Sequence, residues 1–345
     1  MSSQPPNYTL LDADKTKEML TLFNGERTGW VQAGEKKWFF PYKYTEEREG
    51  FYNFKPRPSD TWIISHPRSG TTVTQELIWL LSNNLDFETA RKKTYMQRFP
   101  YLESSMDYHS AVMDELVKKN EGNLEKQEFC KSLARPVYET LEALPSPRFI
   151  QSHMPLSLKP GILDSGCKII YMARNPKDVA VSWYIMHKSV VSLGYVGDFP
   201  TFWNYFKNDL TVFSPYWEHV KEAWAQRNHP NLLFMFYEEL RADLLSAAKK
   251  VANFLGKNYN ENQLSKLLDH LNIDNFRKNP AVNLYSWYNC GVYLNSEFFI
   301  GKGKTGNWKE FFSAEMEKEA DEWITKNLED TDLVFPIINT KDVCH

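Results

Sequence analysis

The chain has 345 residues, 42% of them apolar and 25% charged, with a formal net charge of −3. That size and apolar content support one large globular unit, or two small ones, with a full core. No basic excess points to a nucleic acid or an anionic membrane, so any anion site must be local.

Aromatic residues are abundant, at 11 Trp, 18 Tyr and 22 Phe. They serve a packed core or an apolar pocket for a small hydrophobic ligand. Cys130, Cys167, Cys290 and Cys344 are far apart and form no CxxC pair. Such spacing suits neither a metal site nor a disulfide framework, and reduced thiols imply a cytoplasmic protein. The opening "MSSQPPNYTL" lacks the pattern of a secretory leader. No apolar run approaches the roughly 18 residues of a membrane span.

Residues 1–60 read as an N-terminal cover, with short strands around "WVQAGEKKWFFPYKY". "TWIIS" (61–65) is a short strand, apolar on both faces, and a small-residue loop follows it. Val73, Leu77, Leu80 and Leu81 then recur at helical spacing. Residues 91–145 carry helical stretches and no clear strand. An insertion of that length reads as a lid. "RFIQS" (148–152), "KIIYMA" (168–173) and "NLLFMFY" (231–237) are three more buried strands. "HKSVVSLGYVGDFP" (187–200) reads as a loop, mobile about Gly194 and Gly197 or simply lying on the surface. "SPYWEHVKEAWAQR" (214–227) is a helix, with Ser214 as N-cap and Pro215 at its first position. "NQLSKLLDHL" (262–271) is another. The alternation predicts an open α/β fold: a mainly parallel central sheet with helices on both faces. Such folds bind ligands at the carboxyl ends of their strands.

The chemistry-bearing residues follow those ends. A strand–loop–helix turn leaves the first helical N–H groups unpaired and, with the helix dipole, forms an anion site. In "SHPRSGTT" (65–72), Gly70 permits close backbone approach. Ser69, Thr71 and Thr72 add hydroxyls, and Arg68 adds a forked cation. A phosphate suits this loop. It is P-loop-like but not a Walker A motif, and "GKGKTG" (301–306) lacks the earlier glycine because Phe298 stands there. Arg174, rather than a carboxylate, follows "KIIYMA", so no magnesium-holding acid stands there; Glu238 after "MFY" keeps a metal formally open. "ARNPKDVAVSWY" (173–184) supplies Arg174 and Ser182, "QSHMPLSL" (151–158) supplies His153, and "FFIGKGKTGNWKEFF" (298–312) supplies a Gly- and Lys-rich loop. Together they offer two phosphate cradles with a histidine between them.

With these segments in order, the sequence resembles the cytosolic sulfotransferase family, which uses 3′-phosphoadenosine 5′-phosphosulfate (PAPS). "HPRSGTTV" (66–73) is similar to that family's YPKSGTTW and "QSHMP" (151–155) to KTHLP. "ARNPKDVAVSWY" matches ARNxKDVxVSxY nearly intact, "MFYEE" (235–239) is similar to LFYED, and "GKGKTGNWK" (301–309) to RKGxxGDWK. The long insertion is most similar to the retinol dehydratase branch. The resemblance covers roughly residues 55 to 325 and implies a single sulfotransferase domain over 1–345.

It further implies roles. Ser69, Gly70, Thr71 and Thr72, with Arg68 and Val73, would hold the 5′-phosphosulfate and adenine end. Arg174 and Ser182, with Lys302 and Gly303, would take the 3′-phosphate, and Tyr237 would touch the adenine. His153 would be the general base, with Tyr101 and Gln151 beside the acceptor, and no metal is expected. Several positions depart from the pattern. Arg68 replaces a lysine, Val73 a stacking tryptophan, Gln151 a lysine and Gly301 an arginine, with Lys304 nearby as partial compensation. "KEFFSAEMEK" (309–318) keeps Lys309 of a dimer motif but has Ser313–Ala314 and Lys318 in it, so a homodimer is only possible.

The expected reaction is in-line transfer of a sulfonate to a hydroxyl of a small hydrophobic acceptor: a phenol, steroid, retinoid or other lipophilic alcohol. The resemblance also leaves open sulfonation followed by elimination, and a nucleotide- or lipophile-binding protein with little catalysis. No nucleic-acid partner or membrane insertion is expected.

Overall fold

The computed structural model describes residues 4–294, 303 and 305–337. Near the N-terminus, β1 (Tyr8–Leu10), β2 (Trp30–Ala33) and β3 (Trp38–Pro41) form an antiparallel sheet in that order. β2 and β3 match the strands read around "WVQAGEKKWFFPYKY". β1 is exposed throughout, so no apolar pattern marks it. This region is more than a cover. Trp30, Val31, Phe39 and Phe40 are buried in the same cluster as Trp62 and Tyr171 of the central sheet.

The central sheet holds β4 (Thr61–Ile64), β5 (Phe149–Ser152), β6 (Lys168–Ala173) and β7 (Leu232–Phe236). All pairs are parallel and the order is β5-β4-β6-β7. The expected strands are all present: β6 has the bounds read from the sequence, and the other three are shorter by a residue or two at their ends. Successive side chains face opposite sides. Trp62, Ile64, Ile169, Tyr171 and Ala173 pack into one core, while Ile63, Ile170 and Met172 pack into another. Both faces are covered, which is why each strand reads as an unbroken apolar run.

Helices supply those covers. On the Ile63 side lie α1 (Thr71–Ser82), 244–254 and 261–271, through Leu77, Leu80, Leu81, Val251 and Leu267. On the Trp62 side lie α2 (Pro176–Ser189) and α3 (Tyr216–Ala225), through Val179, Trp183, Tyr216 and Val220. α3 begins one residue later than its sequence implied. Pro215, not Ser214, is its N-cap. The Ser214 hydroxyl is engaged by Thr211 at 2.9 Å, and its carbonyl accepts from Phe39 N–H at 2.8 Å. Partners outside the helix, Thr211 nearby and Phe39 far away in sequence, thus took groups of Ser214.

Residues 91–145 hold short helices, among them Tyr95–Arg98, Ser110–Lys119, Leu124–Leu133 and Val137–Ala143. The 187–200 segment is not a plain surface loop. Asn24 N–H donates to the Gly194 carbonyl at 3.0 Å, and Val196 N–H to the Leu22 carbonyl at 2.8 Å. A Cβ on Gly194 would lie 2.5 Å from Gly25 N, so this glycine serves close packing.

β4 is followed in sequence by its neighbour on one side, and β6 by its neighbour on the other. The connections therefore diverge between β4 and β6, which opens a crevice at their carboxyl ends. Among the described residues no helix is long and apolar enough to cross a membrane.

Candidate active site

The loop from Ser65 to Gly70 leaves β4 at that crevice. Arg68 and Gly70 both take left-handed backbone conformations, with φ of 68° and 101°. Gly70 is required there, because a Cβ would meet Tyr237 Cδ2 at 2.3 Å. α1 starts at Thr71, so the N–H groups of its first turn have no intrahelical acceptor and face the crevice's end of the dipole. Ser69 Oγ is buried with no hydrogen-bond partner among the described residues. A buried hydroxyl, free amides and a glycine cradle fit a phosphate.

Arg68 and Arg174, read from the sequence as parts of two separate cradles, come together in the structure. Arg68 Nε donates to Ser182 Oγ at 3.0 Å, and Arg174 Nη1 donates to the Arg68 carbonyl at 3.0 Å. The Arg174 guanidinium lies 4.5 Å from the centre of the Tyr237 ring. Burial, with Arg174 close by, lowers Arg68 to about 10. Arg68 reaches toward Ser182, at the end of the cleft expected for the 3′-phosphate. Thr72 and Val73 line the same cavity.

Gly303 lines this cavity too. Gly301, Lys302 and Lys304 lie outside the described residues. The loop after Gly303 is held by a residue that sequence reasoning missed. Asp178, in the first turn of α2, accepts from Gly306 N–H at 2.9 Å and from Trp308 N–H at 3.3 Å. Arg241 Nε binds the Gly303 carbonyl at 2.8 Å. The signals for Asp178 were its place in the KDV of "ARNPKDVAVSWY" and its position three residues after Asn175, where it reads as a first-turn acid. Glu238, the one open metal candidate, instead accepts the Asn175 N–H at 2.8 Å and fixes the corner after Arg174. Among the described residues no three His, Cys, Asp or Glu side chains gather as a metal site.

His153 follows β5, in the next strand over. Its ring is buried, with Nδ1 2.7 Å from the Ser65 carbonyl and Nε2 3.0 Å from Gln151 Nε2. Tyr101 and Phe213 flank it, with ring centres 5.1 and 5.5 Å away. Glu103 fixes the backbone by accepting from His153 N–H at 3.2 Å and from the Ser152 hydroxyl. Burial pushes Glu103 up to about 7. It lowers His153 to about 3, opposed by the Ser65 carbonyl and aided by His219 and Arg68.

Arg68, Gly70, Thr71, Arg174, Ser182, Tyr237, His153, Gln151 and Tyr101 all border one cavity of about 440 Å³. Its wall also includes Tyr95, Met96, Tyr108, Met186, Trp287 and Tyr293. None of these six was foreseen. They come from three segments distant in sequence, and no motif marks them. Cys130, Cys167 and Cys290 are buried free thiols away from this wall.

Comparison with known proteins agrees with this geometry. The sulfotransferase domain family matches residues 58–332. Luciferin sulfotransferase of Photinus pyralis is 34% identical over 312 residues, covering 88% of this chain and 81% of its own. Human sulfotransferase 4A1 is 31% identical over 290 residues, covering 83% and 86%. Retinol dehydratase, solved with androsterone and the inactive cofactor PAP, superposes with a TM-score of 0.90 at 38% identity, covering 96% of this chain and 99% of that one. The chain belongs to the sulfotransferase family and is a PAPS-dependent sulfotransferase.

Proposed function

We propose that this enzyme sulfonates a hydroxyl group of a small hydrophobic acceptor, with His153 as the general base. The observation that carries this reading is one cavity of about 440 Å³ bordered together by Arg68, Arg174 and the start of α1, by His153, and by the aromatic side chains of Tyr95, Tyr108, Trp287 and Tyr293. PAPS supplies the sulfonate and leaves a phosphate behind. Around it, Ser69, Gly70, Thr71 and Thr72 would hold the 5′ end, and Arg174, Ser182 and Gly303 the 3′-phosphate. His153 Nε2 takes the proton from the acceptor hydroxyl as that oxygen attacks, which makes the oxygen a competent nucleophile. The amides of α1 would face the negative charge that grows on the leaving side, while Arg68, bonded to Ser182, would lie toward the 3′-phosphate. Residues 91–145 close the acceptor end through Tyr95, Met96, Tyr101 and Tyr108, the part expected of a lid.

A second reading is favoured by the likeness to retinol dehydratase, which is also solved with retinol and PAP at 37% identity. An allylic sulfate ester leaves readily as sulfate, with loss of a proton from the carbon chain. The net result is dehydration. Mass analysis after incubation with PAPS and a panel of phenols, steroids and retinoids separates the two. Androsterone as acceptor is expected to gain a sulfonate. With retinol, loss of water favours elimination and a stable sulfate favours transfer alone. No product from any acceptor defeats both readings.

Asp178 gives a separate test of the nucleotide end. Asp178→Ala removes two hydrogen bonds from the loop that carries Gly303, and is expected to weaken PAP binding by about tenfold. Calorimetry with PAP measures this. Unchanged affinity would mean that the loop holds no part of the nucleotide.

A further inference from the structure

The residues around His153 form a one-way chain of hydrogen bonds, fixed in polarity at both ends by backbone carbonyls. At one end Gln75, buried in α1, places its amide nitrogen 3.3 Å from the Phe99 carbonyl and 2.8 Å from Gln151 Oε1. Both partners are acceptors, so the Gln75 NH₂ group must face them. The reverse orientation would set its oxygen against two other oxygens. The Gln75 oxygen itself is buried with no partner among the described residues, so nothing on its far side opposes this choice. Because Gln151 Oε1 accepts from Gln75, the Gln151 NH₂ group must face His153 Nε2, at 3.0 Å. An N–H pointed at Nε2 requires a lone pair there. The proton of the neutral ring then lies on Nδ1 and donates to the Ser65 carbonyl at 2.7 Å. The nearby Ser65 hydroxyl is paired with Thr71 Oγ1 at 2.8 Å.

We infer that Gln75 is a positioning residue: through Gln151, and together with the Ser65 carbonyl, it holds His153 in the Nδ1–H tautomer, with the Nε2 lone pair taken by a Gln151 N–H that an acceptor hydroxyl can displace. This deepens the general-base reading and rests on it. It also assigns Gln151 a use that the family lysine at that position could not serve. A lysine donates as well, but Gln75 could not set its direction, because an ammonium group has no acceptor end. In turnover the acceptor hydroxyl displaces the Gln151 N–H from Nε2 and passes its proton there. The ring N–H then confronts the Gln151 NH₂ group, which cannot turn without setting two NH₂ groups together. The protonated ring is thereby disfavoured and the proton returns to solvent.

Besides burial, His219 and Arg68 lower the proton affinity of His153, and other titratable groups face it. Arg68 lies at the neighbouring loop, His66 follows β4, His219 donates to the His153 carbonyl from α3, Glu103 binds its backbone N–H, and Tyr101 flanks the ring. None of them changes when Gln75 is replaced, so the variants below isolate the chain.

The test is nitrogen NMR of ¹⁵N-histidine-labelled enzyme saturated with PAP, with the His153 signals assigned by their loss in His153→Ala. The wild type should show Nδ1–H in excess by about tenfold or more, the worth of one buried hydrogen bond. In Gln75→Leu, which keeps the bulk, Gln151 is free to turn and only the Ser65 carbonyl still selects Nδ1–H, so the excess should shrink while Nδ1–H stays the major form. In Gln75→Glu the carboxylate accepts from Gln151, which turns its oxygen to Nε2. The ring should then carry a proton on Nε2 and titrate at higher pH than in the wild type. If both variants keep the wild-type tautomer ratio and titration, the inference is wrong. The spectra report on the ring whether or not His153 is the base, so failure of that reading would show separately, as retained turnover in His153→Ala.

Discussion

Alanine at His153 is expected to lower turnover by about 10²–10⁴-fold, the usual contribution of a positioned base. PAP binding, measured by calorimetry, should stay as in the wild type, because the phosphate-facing groups lie on other elements. The pH dependence gives this prediction a second edge. Burial, with His219 and Arg68 nearby, holds the ring to about 3. A base works only when neutral, and a lowered value keeps it neutral across the whole neutral and mildly acid range. The acid limb of kcat/KM for PAPS, which reports the free enzyme, should therefore lie well below the ordinary imidazole range near pH 6.5. Bound phosphosulfate brings negative charge beside the ring and raises its proton affinity. The acid limb of kcat should accordingly appear at higher pH than that of kcat/KM. A kcat/KM limb at the ordinary imidazole value, or turnover surviving in His153→Ala, would remove His153 from the role.

The second large effect is on stability. Arg148 precedes β5 and Asp60 precedes β4. They form a paired fork, Nε to Oδ1 at 3.0 Å and Nη2 to Oδ2 at 2.6 Å, with side chains only 1% and 0% exposed. Arg148 also donates to the Leu141 and Lys55 carbonyls, at 3.1 and 2.9 Å. Arg148→Leu leaves the Asp60 carboxylate buried without its counter-ion. Urea unfolding should register a loss of about 3–5 kcal/mol. Asp60→Asn in the same background should restore part of it, because the remaining group is then neutral. A loss below about 1 kcal/mol would mean that the carboxylate finds other solvation. The pair sits at the amino ends of the two strands whose carboxyl ends carry the Ser65–Gly70 loop and His153. It thus sets the stagger on which the distance between loop and base depends.

Much of this site could be read from the chain. Trp62 and Ile64 face one core and Ile63 the other, and that two-sided burial makes "TWIIS" an apolar run. The same holds for "KIIYMA", so the sheet and its strand ends were legible. Arg68, Gly70, His153, Arg174 and Ser182 were legible as candidates because each follows a strand end or sits in the next helix's first turns, and Tyr237 only through the resemblance; the structure brings all six around one cavity. Exposed β1 offered no pattern to read. Pro215 was misplaced by one position because Thr211 and Phe39, both from outside the helix, claimed the groups of Ser214.

The order of residues along the chain determined the strands, the helices and the phosphate loop, since spacing, turn chemistry and the free amides of a helix start are local properties. The tertiary structure decided what local pattern cannot carry. It brought Tyr95, Met186, Trp287 and Tyr293 to one wall, set Asp178 under the Gly306–Trp308 turn, and aligned Gln75, Gln151 and His153 between two carbonyls. Each depends on contacts between elements far apart in sequence, where packing and donor–acceptor matching, not periodicity, select the partners.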